Sequence, residues 1–284
     1  MRALVVGALG QLGRELSSRL GDELAWAGGR DGLDVTDEPA VFAFVAQVKP
    51  DVVFNATAWN RVDAAEAEPE RAFAVNAHAP RTLARAASDV GARLVHVSTD
   101  YVFDGSSPRP YGENDETRPL SVYGASKLEG ERNVLAAGPE HLVVRTSGVL
   151  GRAGSAQKGG SFVDRILAQA RAGKPLRVVT DQTFAPTFAD ELALALLALA
   201  RSAARGLLHV ANAGSCSWHE LAVASLRAAG IDAPVAAIKA AELKLPARRP
   251  MYSVLDTSRY LSLGLTRPRD WRDALGDLVA ASRG

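Results

Sequence analysis

Short apolar runs with no polar alternation recur through the first half of the chain, at 4–6, 24–27, 51–55, 93–97 and 142–145. Between them, apolar residues fall at helical spacing: over 12–20, 41–48, the alanine-rich stretch 70–90 and the region of Tyr123 and Lys127. Strands that show no polar face must be covered on both sides, and helices that alternate with them supply the cover. The predicted fold is α/β, a Rossmann-type doubly wound parallel sheet. Beyond Gly148 the alternation loosens. Residues 151–160 are rich in glycine and small polar side chains and read as a loop; helices are expected over 163–172, 190–201 and 217–229, and strands over 176–179 and 207–210. The division expected is a dinucleotide-binding domain over 1–148 and a smaller, mixed substrate-binding region over 149–284. Some strands within 176–212 are expected to return to the first sheet.

Composition narrows the class without choosing the chemistry. With 47% apolar residues the chain can bury a sizeable core, and 33 basic against 32 acidic residues leave a net charge of +1. No basic block marks a nucleic-acid partner. The apolar start is too short for a signal peptide, and the run at 192–200 is under half a membrane span, so no membrane association is expected. A single cysteine, Cys216, excludes an internal disulfide and fits a reducing cytoplasm. The five histidines, His78, His96, His141, His209 and His219, lack metal-ligand spacing and read as structural.

The first strand runs directly into Gly7-Ala8-Leu9-Gly10-Gln11-Leu12-Gly13, which opens a helix. Glycines there let the backbone turn tightly and let a diphosphate approach, while free amides at the helix start attract its charge. The glycine-lysine signature of a nucleoside-triphosphate loop is missing, which counts against ATP. Arg30, after the second strand, either pairs with a ribose 2′-phosphate, favouring NADPH over NADH, or is a solvated surface side chain. Asp34 lies 21 residues past Gly13, within reach of an adenosine; Asp37 reads equally as a helix cap. The small residues Ala56-Thr57-Ala58 follow the third strand, where a chain passes close under a cofactor.

Ser98-Thr99 ends an apolar run, and Tyr123 and Lys127 stand four residues apart on one helix face. A tyrosine ionises at about pH 10, too high for easy proton exchange at neutrality; a lysine ammonium and the positive end of a nicotinamide would favour its phenolate. In this reading Tyr123 moves the proton, Lys127 supports it and binds the nicotinamide ribose, and Thr99 donates a hydrogen bond to the substrate oxygen.

Longer strings carry a resemblance. Val62-Asp63-Ala64-Ala65-Glu66, Ser98-Thr99-Asp100-Tyr101-Val102-Phe103-Asp104-Gly105, Tyr123-Gly124-Ala125-Ser126-Lys127-Leu128-Glu129-Gly130-Glu131 and Arg249-Pro250-Met251-Tyr252-Ser253-Val254-Leu255-Asp256 resemble the extended short-chain dehydrogenases/reductases. Within them the chain resembles, nearly end to end, the dTDP-4-dehydrorhamnose reductase family. The resemblance implies NADPH-dependent reduction of the C4 ketone of a dTDP-linked 6-deoxyhexose, with Tyr123 as general acid. It implies cofactor contacts from Gly10 to Leu12, from Asp34 and Val35, and from Ala58, Trp59 and Asn60. Thr99 and Asp100 would touch the sugar, and Arg249 the diphosphate of the nucleotide. A homodimer is implied. Some members use magnesium at their interface; Glu15 could serve, but no ligand cluster is visible and no catalytic metal is expected. Two departures stand out. Gly148 replaces a tryptophan expected in the sugar pocket, and Trp59 is an indole gained nearby, so Trp59 could fill that space or the sugar could differ. The alternatives are a reductase of another nucleotide-linked 4-keto-6-deoxyhexose, a sugar-nucleotide epimerase, or a non-catalytic binding subunit of this fold.

Overall fold

The computed structural model describes residues 1–152 and 160–281. Of the loop expected at 151–160, residues 153–159 lie outside the described residues. The first half runs β1 (Ala3–Val6), α1 (Gln11–Leu20), β2 (Leu24–Gly28), α2 (Glu38–Val48), β3 (Val52–Asn55), α3 (Val62–Ala67), α4 (Pro69–Phe73), a π turn (Ala74–His78), α5 (Ala79–Asp89), β4 (Arg93–Thr99), α6 (Val122–Ala137) and β5 (Leu142–Thr146). The second half runs β6 (Val149–Leu150), α7 (Phe162–Arg171), β7 (Leu176–Val179), β8 (Thr183–Phe184), β9 (Thr187–Phe188), α8 (Ala189–Arg201), β10 (Gly206–His209), β11 (Cys216–Ser217), α9 (Trp218–Ala229), β12 (Val235–Ile238), α10 (Ser258–Leu261) and α11 (Trp271–Ala281).

Six strands form one parallel sheet in the order β10-β5-β4-β3-β1-β2. Their apolar runs are fully covered, as doubly wound strands require: Leu4, Val5, Val53 and Leu94 have no exposed surface. One face packs on α1 and α8 through Leu12, Leu16, Leu192 and Leu196; the other packs on α2, α5 and α6 through Val41, Val45, Leu83 and Val134. Of the two later runs read as strands, the one near 207–210 joins the sheet beside β5, whereas 176–179 pairs with β12 in a small sheet of its own. That second layer has its own core of Leu167, Phe184, Leu221, Trp271 and Leu275, among others.

The alanine-rich stretch 70–90 is not one helix. It breaks into α4, the π turn and α5, with Pro80 at the start of α5, where a missing N–H costs the helix least. The π turn meets Gly130 of α6 so closely that a Cβ there would lie 2.0 Å from the Asn76 carbonyl oxygen. This contact lets Asn76 act as a clamp. Its side-chain oxygen accepts from the Trp59 N–H at 2.8 Å, while its amide nitrogen donates to the Trp59 carbonyl and to Ser126 Oγ of α6.

Candidate active site

The carboxyl ends of β1, β3, β4 and β5 open on one cavity of about 930 Å³, where open α/β sheets hold their ligands. At the end of β1 the chain turns at Gly7, with φ +81°, and both Gly7 and Ala8 donate to the Gly28 carbonyl at 3.0 Å. Side chains are excluded by backbone: a Cβ on Gly7 would lie 2.7 Å from the Ala56 carbonyl carbon, and one on Gly13 would lie 2.2 Å from the Gly7 oxygen. Gly13 therefore acts from beneath the turn, whereas Gly7, Gly10, Gln11 and Leu12 line the cavity. Gly10 caps α1 with no side-chain acceptor, so the first amides of the helix are left for a ligand. Arg30, Asp34 and Val35 line the same end. Arg30 faces Asp34 at 3.5 Å in an exposed ion pair, and hydrogen bonds from Thr36 hold the Asp34 carboxyl below its usual range.

Ala58, Trp59 and Asn60 continue this wall. Several buried polar atoms on it have no partner in the protein: Gln11 Oε1, Trp59 Nε1 and Asn60 Oδ1, with Thr146 Oγ1 at the end of β5. Leaving such atoms unmade costs on the order of 1–3 kcal/mol each. Their placement around one cavity fits a long ligand rich in hydrogen-bonding groups, as a nicotinamide dinucleotide is.

Tyr123 and Lys127 sit on α6, whose start is fixed by Ser121 Oγ accepting from the Gly124 N–H at 3.2 Å. Both line the cavity with Thr99. Burial pushes the Tyr123 phenol up to about 12; a hydrogen bond with Thr99 opposes the shift and the Asp100 charge adds to it. The phenol is therefore protonated throughout the neutral range. A protonated phenol suits a proton donor. Lys127 is only 2% exposed, and burial brings its ammonium down to about 8 against the pull of Glu131. Its Nζ donates to the Val97 carbonyl at 2.6 Å and lies 3.3 Å from His96 Nε2.

Thr99 ends β4 with its hydroxyl 3.0 Å from Asp100 Oδ1 and accepting from the Tyr101 N–H. Asp100 lines the cavity, but its carboxyl is turned to hydroxyls. Ser147 donates at 2.7 Å and Ser253 at 2.5 Å, and burial outweighs these bonds to raise its pKa. The Asp100 and Ser253 motifs are thus two ends of one contact. Arg249 stands back from the cavity lining in a two-point pair with Asp63, at 3.1 and 2.7 Å.

The position of Gly148 is occupied from elsewhere. Gly148 has φ +49°, and a Cβ on it would lie 2.3 Å from the Phe184 ring. Phe184 stacks on Trp218 at 4.1 Å, and Phe162 packs on the same indole at 4.8 Å. Trp59 does not fill this space; it packs near Tyr123 with the Arg71 guanidinium 4.5 Å above its ring. Sequence reading passed over Phe184, Trp218, Arg61 and Arg71, all of which line the cavity. Only Trp218 carried a local signal, the Ser217-Trp218-His219-Glu220 capping box that starts α9. Glu15 is engaged by Arg19, and no group of three acidic, histidine or cysteine side chains among the described residues could hold a metal. Among the described residues no helix is long and apolar enough to cross a membrane.

A glycine turn under a doubly wound sheet, facing a Tyr-x-x-x-Lys helix across one cavity, defines an extended short-chain dehydrogenase/reductase. The model of the family described as RmlD substrate binding domain matches residues 1–283, and the chain belongs to that family. It is 43% identical over 289 residues to a dTDP-4-dehydrorhamnose reductase of Streptomyces griseus, covering 99% of this chain and 93% of that one. It is 42% identical, over 99% and 97% of the two chains, to a probable dTDP-4,6-dihydroxy-2-methyloxan-3-one 4-ketoreductase of Streptomyces antibioticus. The fold is similar to that of the Bacillus anthracis dTDP-4-dehydrorhamnose reductase solved in complex with NADP, with a TM-score of 0.93, 32% identity and 99% of each chain covered.

Proposed function

We propose that this protein reduces the C4 ketone of dTDP-4-dehydro-L-rhamnose to dTDP-L-rhamnose with NADPH. The observation that carries the reading is the placement of Tyr123, Lys127 and Thr99 in the cavity that the glycine turn also lines, with burial favouring the protonated phenol. When bound, the cofactor supplies the hydride. Tyr123 gives its proton to the developing alkoxide, and the Lys127 ammonium supports the phenolate left behind. Gly7, Gly10, Gln11 and Leu12 hold the diphosphate of the cofactor over Gly13, with Asp34 and Val35 at the adenosine and Ala58, Trp59 and Asn60 at the nicotinamide end. Arg30, exposed and already beside Asp34, is placed for a 2′-phosphate, with NADH as the alternative cofactor. Thr99 and Asp100 bound the sugar, with Gly148 opening that wall. Arg249 is assigned to positioning the segment behind Tyr101, since Asp63 already neutralises it. No step is assigned to magnesium, because Glu15 is taken by Arg19.

The cofactor region comprises residues 1–148 with β10 added, and 149–284 otherwise carry the nucleotide sugar, in a cytoplasmic homodimer. Replacing Tyr123 with Phe should lower turnover of dTDP-4-dehydrorhamnose by roughly 10²–10⁴, the usual contribution of a general acid. NADPH binding should stay within about twofold, since the hydroxyl is small beside a dinucleotide contact surface. Turnover retained in that variant sinks the assignment. The name of the Streptomyces antibioticus relative favours a second reading, another dTDP-linked 4-keto sugar. Comparing kcat/KM for the two ketones decides between them.

A further inference from the structure

Beneath the cavity lies a hydrogen-bond chain that the proposed chemistry does not use. Asn55, at the end of β3, and His96, in the middle of β4, are cross-strand partners, both fully buried. Asn55 Oδ1 accepts from the Thr57 N–H at 3.0 Å and from the Thr57 hydroxyl at 2.6 Å. A backbone N–H can only donate, so the orientation of the Asn55 amide is fixed. Its Nδ2 must then donate to His96 Nδ1, at 3.0 Å. An Nδ1 that accepts leaves the ring proton of a neutral imidazole on Nε2. The ring is neutral, since burial and the Lys127 charge both hold its pKa well below the usual value. That Nε2–H points at Lys127 Nζ, 3.3 Å away. Facing an ammonium, it sets donor against donor; facing an amine, it finds a lone pair.

We propose that His96, locked in one tautomer by Asn55, is a positioning residue that biases Lys127 toward its amine form and so sets the alkaline limit of turnover. The proposal rests on the reductase reading above, in which the ammonium supports the Tyr123 phenolate. The other ionisable groups about Lys127 are accounted for. Glu131, one turn on, favours the ammonium but is itself bonded at two points to Arg145 of β5, at 2.8 and 2.7 Å. Tyr123 is a neutral phenol, and Asp100, past the end of β4, is turned to Thr99, Ser147 and Ser253. The π turn contributes only the uncharged Asn76 amide, which is spent on Trp59 and Ser126. Among the described residues, only His96 puts an N–H against the Lys127 nitrogen.

Two measurements test this. Nitrogen NMR of the ring in ¹⁵N-histidine-labelled protein should find the His96 proton on Nε2 over roughly pH 6 to 9, independent of any substrate. A proton on Nδ1 overturns the proposal whatever the enzyme reduces. His96→Asn keeps an acceptor for Asn55 but has no group at the Nε2 position. Its alkaline limb of kcat, expected near pH 8 in the parent protein because turnover falls as Lys127 loses its proton, should move up by about one unit. Asn55→Asp is isosteric and accepts from both Thr57 and Nδ1–H, which turns the Nε2 lone pair toward Lys127. It should move the limb the same way and remains informative if His96→Asn folds poorly. A lower kcat with the limb unmoved in both variants means that His96 only packs. Loss of activity in Tyr123→Phe, together with an unmoved limb in His96→Asn and Asn55→Asp, would keep the reductase reading and reject this one.

Discussion

The proposed cofactor wall, from Gly7 to Asn60, is backbone that one sheet brings to a ligand, whereas the wall around Gly148 is side chains gathered from separate elements. On the first, the chain follows three strand ends, and helix-start amides and glycines stand beside the unpartnered side-chain atoms of Gln11, Trp59 and Asn60. On the second, the ring of Phe184 on β8 reaches over Gly148 after β5, and is backed by Trp218 of α9 and Phe162 of α7. Where that wall is backbone packed on backbone, as at Gly7 and Gly13, it tolerates no added atom. A wall made of side chains can be refilled by another ring, so sugar preference can change while the cofactor site stays constant.

This contrast gives three graded expectations. The largest effect belongs to Gly13→Ala. The added methyl meets backbone on two sides, at 2.2 and 2.6 Å, and strain of about 3 kcal/mol corresponds to about a hundredfold weaker NADPH binding. Fluorescence titration that finds affinity within a few-fold of the parent would show that the turn yields after all. Next comes Gly148→Trp, where a positive φ and the Phe184 ring both oppose the new side chain. KM for the sugar nucleotide should rise by about tenfold, with NADPH affinity within about twofold, and adding Phe184→Ala should recover part of the loss. Equal damage to both ligands would mean that the walls are not separable. The smallest effect is that of Ser253→Ala, which removes one hydroxyl from a buried carboxyl and should cost about 1–2 kcal/mol, a few degrees in Tm. Melting should stay a single transition; two transitions would show that the halves are held together mainly by this contact.

The wall from Gly7 to Asn60, the proposed cofactor wall, was legible in the sequence because its signals are local. A buried strand, a glycine turn and a helix start fall within one short stretch, and Tyr123 and Lys127 are one helical turn apart. The substrate wall was not, because no spacing rule links Gly148 to Phe184 or Trp218. The tryptophan gained at Trp59 drew attention as a replacement for the missing indole, but the Asn76 clamp, itself dependent on the π turn and Gly130, holds it near Tyr123. The break of 70–90 into three pieces was hidden for a similar reason, since alanines fit an unbroken helix and only the close approach of α6 favours the π turn. Likewise 176–179 had a strand composition, while its partner, β12, was decided by tertiary packing. The pairing of Arg249 was hidden in another way. A cation near a diphosphate is plausible by charge alone, and only the position of Asp63 shows that the charge is already matched.

The bond between Ser253 and Asp100 spans 153 residues, and Tyr111 pairs with Leu255 across a similar length of chain. During synthesis the strands, the glycine turn and the Tyr123 helix all leave the ribosome long before Ser253 does. Asp100 must therefore wait for its last hydroxyl until 153 further residues have been made. Contacts this distant in sequence are among the slowest to close, since the loop entropy is lost before the bond is gained. The Asp100 corner of the cavity is thus completed well after the glycine turn, and a nascent chain can present that turn long before this corner is ordered.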